Sequence, residues 1–201
     1  MVNLAQKYFS QPIINIPYAY ALENTRTTKN TFNFIIPGVV SKSRRDYKTV
    51  LDGFSSLPSE YNLVLLGKNV DGLPRQPNII TFKDYVPTDV YNSYLQDADF
   101  LVFPTYFFVH TVNTADEFYG FTKSTNIHEA VKWRKPIIVP DHFPIDPRLM
   151  SSTLKYEDAD DLAFHMSVGL RDKKALTKEA YKNTKHFTLD KIKKYVNKVL
   201  N

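Results

Sequence analysis

From residue 32 onward the chain alternates between short runs of consecutive apolar residues and longer stretches in which apolar residues return every three or four positions. Continuous apolar runs are the pattern of strands covered on both faces, and the wider spacing is that of a helix with one buried face. The first run, 32–37 (FNFIIP), is closed by Gly38 and predicts a buried strand. A helix is expected from about Ser43, with Tyr47, Val50, Leu51 and Phe54 on one face and Pro58 as its stop. Residues 61–66 (YNLVLL) predict a second strand ending at Gly67, followed by a loop over 68–77 and a third strand at 78–82. Pro87 and Thr88 open a helix with Val90, Tyr94 and Leu95 turned inward, and 99–104 (DFLVFP) returns as a fourth strand. The pattern then breaks. Residues 105–119 are aromatic, without clear period, and follow a strand end, where open α/β sheets build their ligand crevice. A helix over 122–134, a fifth strand at 136–139 (PIIV), a candidate sixth at 153–156 (TLKY) and further helices complete the chain.

This alternation defines the fold class as α/β, a Rossmann-like parallel sheet with helices on both faces. The length of 201 residues suits one such domain with one well-buried core, and 32–201 is its expected extent. Residues 1–31 stand apart, with a lone apolar run at 12–17 (PIINIP) and a polar stretch at 22–30, and are expected to be a connector or an added edge element.

Charge changes the picture little. The net charge of +5 comes largely from lysines beyond residue 172, which are interleaved with Leu176, Ala180, Phe187, Ile192, Val196 and Leu200. That is an amphipathic helix with a solvated basic face, so no nucleic-acid partner is expected; a membrane surface is the alternative partner for the same lysines. The absence of cysteine excludes disulfides and thiolate metal sites. No apolar run reaches membrane-spanning length and 1–7 lacks a secretory pattern, so a cytoplasmic location is expected by default.

Neither a P-loop, a GxSxG elbow, a GxGxxG turn nor an HExxH helix occurs, and the five histidines never fall at ligand spacing, so no metal is expected. The candidate chemistry lies where strands run into helices. Gly38 is followed by Ser41, Lys42, Ser43, Arg44 and Arg45; free amides at a helix start and two guanidinium groups suit a diphosphate, whereas the plain alternative is a Ser43 cap and two solvated arginines. Residues 119–125 (YGFTKST) offer hydroxyls and the Lys123 ammonium at the start of the next helix, with ordinary capping by Thr122 or Ser124 as the alternative. Glu129 lies one to two turns along, where a carboxylate can accept both ribose hydroxyls or simply face solvent.

The order of these features resembles the C-terminal, nucleotide-sugar-binding half of GT-B glycosyltransferases of family 4. The matching pieces are Gly38 and Arg45, YNLVLLG at 61–67, DADFLVFP at 97–104, Tyr119-Gly120, Glu129-Ala130 and KPIIV at 135–139, and the resemblance spans 32 to about 200. It implies a domain that binds a nucleotide diphosphate sugar and transfers the sugar to an acceptor hydroxyl, with retained anomeric configuration, no bound metal or other cofactor, and no nucleophile from this chain. Gly38, Arg44 and Arg45 would face the donor diphosphate, Lys123, Ser124 and Thr125 the phosphate or sugar, Glu129 the ribose, and residues 83–86, including Tyr85, the base. Two positions depart from the pattern. The family pairs two glutamates with seven residues between them, and counting back from Glu129 reaches Phe121; Val39 stands where a basic residue often follows the first glycine. A GT-B enzyme also needs an acceptor-binding domain, expected here to be missing or a separate subunit. A non-catalytic nucleotide-binding partner and a GT-B-like nucleotide-sugar epimerase are the other activities this resemblance accommodates.

Overall fold

The computed structural model describes residues 22–23, 31–73, 77–106, 108–111, 114–118 and 127–200. Six strands form one parallel sheet: β1 (Phe32–Pro37), β2 (Tyr61–Lys68), β3 (Ile79–Phe82), β4 (Phe100–Val102), then β7 (Ile137–Pro140) and β8 (Thr153–Tyr156), in the order β3-β2-β1-β4-β7-β8. All six expected strands are present. The segment expected to be irregular holds instead a separate antiparallel hairpin, β5 (Phe108–Thr111) with β6 (Thr114–Phe118). Its residues alternate too weakly between apolar and polar for a period-two reading to find them.

The helices are α1 (Tyr47–Ser55), α2 (Thr88–Asp97), α3 (Ile127–Trp133), α4 (Ala159–Thr184) and α5 (Leu189–Leu200), with short 3-10 turns at Pro147–Ser152 and Lys185–Phe187. Because successive side chains in a strand point to opposite faces, the apolar runs feed two core layers. Phe34, Ile36, Leu63, Leu65, Phe100 and Val102 pack beneath Tyr47, Val50 and Phe54 of α1 and Leu162 and Met166 of α4. Ile35, Val64, Leu66, Leu101, Ile137 and Val139 pack on the other face against Leu95 of α2 and Ala130 and Trp133 of α3. Each fully buried aliphatic or aromatic side chain contributes about 1.5–3 kcal/mol. The sequence placed Val90 and Tyr94 inward with Leu95, but only Leu95 is fully buried on α2. Helix α3 ends where Arg134 takes a left-handed φ of 54° and lays its guanidinium 4.8 Å from the Tyr181 ring centroid.

At the amino ends of the strands two buried charges, Asp99 and Lys135, are met by groups of the fold. Asp99 accepts the Asn33 backbone N–H at 2.8 Å and forms an ion pair with Lys173 of α4. Lys135 Nζ donates to the carbonyls of Gln96 at 2.7 Å and Ala98 at 2.6 Å. Of residues 1–31 the described part is short: Glu23 N–H donates to Lys132 O at 2.9 Å, and Leu22 packs beside Val131, Leu149 and Phe187.

Candidate functional site

The carboxyl ends of the strands carry the candidate residues, and the backbone there is unusually close. Gly38 closes β1 at φ 96°, a left-handed conformation that favours glycine, and donates its N–H to Leu66 O at 2.9 Å. A Cβ built on Gly67 would lie 2.2 Å from Gly38 O, so the two glycines allow the ends of β1 and β2 to meet. Val40 then pairs with Asn69, and the chain turns toward α1.

The expected helix from Ser43 starts later, at Tyr47. Its cap is Asp46, which accepts from Thr49 N at 3.1 Å and from Thr49 Oγ1 at 2.7 Å. Ser43 is therefore not the cap, and the carboxylate of Asp46 satisfies an amide that would otherwise be free at this helix start. The two arginines also part company. Arg44 is exposed, whereas Arg45 is 8% exposed, held by a backbone bridge to Thr105 and by Asp46 N–H donating to Pro104 O at 2.8 Å. Arg45 Nη1 is buried without a hydrogen-bond partner. A guanidinium stays charged, and leaving a buried donor dry costs about 1–3 kcal/mol, a cost that an anion's oxygen would offset. Next to it the Tyr47 hydroxyl lies against Arg45 and the Ser41 backbone without a hydrogen bond of good geometry, and burial pushes its pKa up.

Glu129, in the first turn of α3, does not face solvent: its side chain is 13% exposed. Oε1 lies 3.5 Å from the Tyr91 hydroxyl of α2 and 3.3 Å from His128 Nε2. Burial, with the Glu129 carboxylate second, pushes the Tyr91 phenol far above its ordinary value, while the Arg45 guanidinium opposes that rise. Arg45 and Glu129 therefore act on one phenol from opposite signs, which places these three side chains in one electrostatic neighbourhood.

Tyr85 stands on the loop after β3, 76% exposed, with Lys68 Nζ 5.4 Å from its ring centroid. Beside it, a hollow of about 180 Å³ is lined by Asn69, Gly72, Leu73, Thr81, Phe82 and Lys83 at the ends of β2 and β3. A larger hollow of about 480 Å³ runs along β3 from Pro77 to Pro87 and is lined by neither Arg45 nor Glu129. The expected phosphate or sugar contacts Lys123, Ser124 and Thr125 lie outside the described residues. Among the described residues no group of three His, Asp or Glu side chains could hold a metal ion.

Sequence reading missed Tyr91, Thr105 and His142, whose Nε2 is 3.0 Å from Thr105 O. The available signal was position: Tyr91 is in the first turn of a helix leaving the carboxyl edge of the sheet, its N–H donating to Pro87 O at 2.8 Å, and Thr105 follows β4 closely on the same edge.

No protein-family model and no curated protein matches the sequence. Solved structures do match. The lipopolysaccharide outer core galactosyltransferase WaaB, in its apo form, superposes over 98% of this chain and 58% of its own, with a TM-score of 0.64 and 14% identity. Anabaena HepE in complex with UDP and glucose covers 85% of this chain and 48% of its own, with a TM-score of 0.54 and 14% identity. The C-terminal domain of the glycosyl transferase group 1 family protein LpcC from Francisella tularensis covers 77% and 83%, with a TM-score of 0.53 and 14% identity. The chain thus spans about half the length of WaaB and HepE, and most of the excised LpcC domain. Its fold is that of one half of a GT-B glycosyltransferase, the half that LpcC contributes as a C-terminal domain.

Proposed function

We propose that this chain is the donor-binding part of a glycosyltransferase and holds a nucleoside diphosphate sugar at the carboxyl edge of its sheet. The observation that carries the reading is Arg45: a buried, charged guanidinium with an unpartnered Nη1, in the same electrostatic neighbourhood as a mostly buried carboxylate, Glu129. A cation for a diphosphate and an acceptor for vicinal hydroxyls are the two groups that a nucleoside diphosphate requires. The presence of UDP in the HepE complex, on the same fold, supports the same ligand class here.

In this reading Arg45 stabilises the charge that accumulates on the diphosphate as the glycosidic bond breaks, and it does so more strongly than in water because it is buried. The transfer is retaining and needs no metal, the acceptor surface is supplied by a second domain or subunit, and Lys123, Ser124 and Thr125 complete the phosphate and sugar contacts. Tyr85 flanks the base. A second reading, a nucleotide-binding partner without transferase activity, is favoured by Val39, an apolar, 41% exposed residue where a cation would otherwise follow Gly38.

Calorimetric titration of the chain with UDP, GDP and ADP tests the proposal. One diphosphate is expected to bind selectively, and Glu129→Ala to weaken it at least about tenfold. If none of the three binds, the donor-site reading is wrong. Sugar transfer from the preferred donor, on adding an acceptor half, separates the enzyme from the partner module.

A further inference from the structure

Tyr91 belongs to neither core layer as a fully buried residue, yet its hydroxyl reaches a functional carboxylate. It sits in the first turn of α2, directly after the loop that carries Tyr85, and its Oη lies 3.5 Å from Glu129 Oε1. His128 Nε2 approaches the same oxygen at 3.3 Å. Among the described residues the contacts from Tyr91 and His128 both fall on Oε1, and together they constrain the torsion of the carboxylate.

We infer that Tyr91 is a positioning residue for Glu129: its phenol donates to Oε1 and orients the carboxylate toward the ribose hydroxyls of a bound nucleoside diphosphate. This rests on the donor-site reading above and deepens it. The phenol suits the role because burial and the adjacent carboxylate keep it protonated, and therefore a donor, across the ordinary pH range. The connection also links recognition of the base to recognition of the sugar ring, because α2 begins where the 83–87 loop ends.

The test compares each of UDP, GDP and ADP with its 2′,3′-dideoxy counterpart, measured calorimetrically on the whole chain. The affinity ratio within a pair reports the ribose hydroxyls alone. In the unmodified protein the preferred diphosphate is expected to outbind its dideoxy form, and Glu129→Gln to reduce that ratio strongly. Tyr91→Phe, which keeps the ring and its packing, is expected to lower the ratio by about three- to tenfold, on the order of the net worth of one hydrogen bond, while dideoxy affinity stays unchanged. An unaltered ratio in Tyr91→Phe, with the Glu129→Gln effect intact, overturns the inference but leaves the donor site standing. Equal loss for both members of the pair also overturns it, because that is the signature of a merely structural tyrosine. Absence of any diphosphate binding in the unmodified chain overturns the donor site, and this inference with it.

Discussion

The two ends of the sheet handle buried charge in opposite ways. At the amino ends, Asp99 is met by the Asn33 amide and the Lys173 ammonium, and Lys135 by two carbonyls; Asp97 Oδ1, Trp133 Nε1 and Arg134 Nε have no hydrogen-bond partner there, although Asp97 lies in the field of Lys135. At the carboxyl ends, Arg45 Nη1 and the hydroxyls of Tyr47 and Tyr156 are buried with no partner. Both ends are dry and lie on the same two core layers, so packing does not explain the difference. The amino end meets Asp99 and Lys135 with groups of its own and lays the Arg134 guanidinium on the Tyr181 ring, whereas the buried Arg45 Nη1 is left without a hydrogen-bond partner.

That contrast predicts opposite outcomes for removing a charge. Asp99→Ala strands Lys173, deprives Lys135 of a compensating charge and leaves the Asn33 amide dry; breaking a buried pair of this kind costs about 3–5 kcal/mol. A large fall in melting temperature is expected, with the diphosphate affinity of the remaining folded protein unchanged. Arg45→Met, which keeps the bulk and removes an unpaired charge, is expected to leave the melting temperature unchanged or raise it, while diphosphate binding weakens by roughly 1.5–3 kcal/mol, about ten- to a hundredfold. Denaturant melts alongside calorimetry of both variants decide the matter. If Arg45→Met destabilises as much as Asp99→Ala does, the carboxyl end is as self-sufficient as the amino end and the contrast fails.

The same contrast explains what could be read from the sequence. All six sheet strands were legible, because a parallel sheet covered on both faces writes its strands as unbroken apolar runs. The β5–β6 hairpin was not, since TADEF at 114–118 carries no such run. At the site, Gly38, Arg45 and Glu129 were legible as residue types placed after strands, but the burial that distinguishes Arg45 from Arg44 was not: adjacent arginines look alike until the bridge to Thr105 fixes which one turns inward. The cap was misread for a related reason. Ser43 and Asp46 are both good caps, and the choice was made by Asp46 N–H reaching Pro104 O, a contact between distant parts of the chain. Tyr91 was passed over because an amphipathic pattern ranks residues by inward direction, whereas its role depends on lying at the start of the helix.

Titration distinguishes the two ends without any mutation. Burial pushes Lys135 down to about 8, with Asp99 and Asp97 opposing the fall. Between that value and the ordinary lysine range, the folded protein has released a proton that the unfolded chain still binds, so stability rises with pH from about 8 toward 10. The buried tyrosines of the carboxyl end act with the other sign. Burial raises Tyr47, Tyr91 and Tyr156, so above about pH 10 the unfolded chain loses phenolic protons that the folded one keeps, and stability falls. Denaturant melts at a series of pH values are expected to show a maximum near pH 9–10, with a rising limb of about 1 kcal/mol per pH unit at its steepest. Lys135→Met is expected to flatten the rising limb alone, and Tyr47→Phe to soften the falling limb alone. The rising limb carries the sharper lesson. A lysine that releases its proton at mild alkaline pH would show that even an ammonium with two carbonyl acceptors is held at a cost when buried. Arg45 has no comparable route to neutrality, since a guanidinium keeps its proton throughout this range. A flat profile between pH 8 and 10 in the unmodified protein would mean that Lys135 is solvated well enough to stay charged, and the difference between the two ends would then reduce to hydrogen-bond count alone.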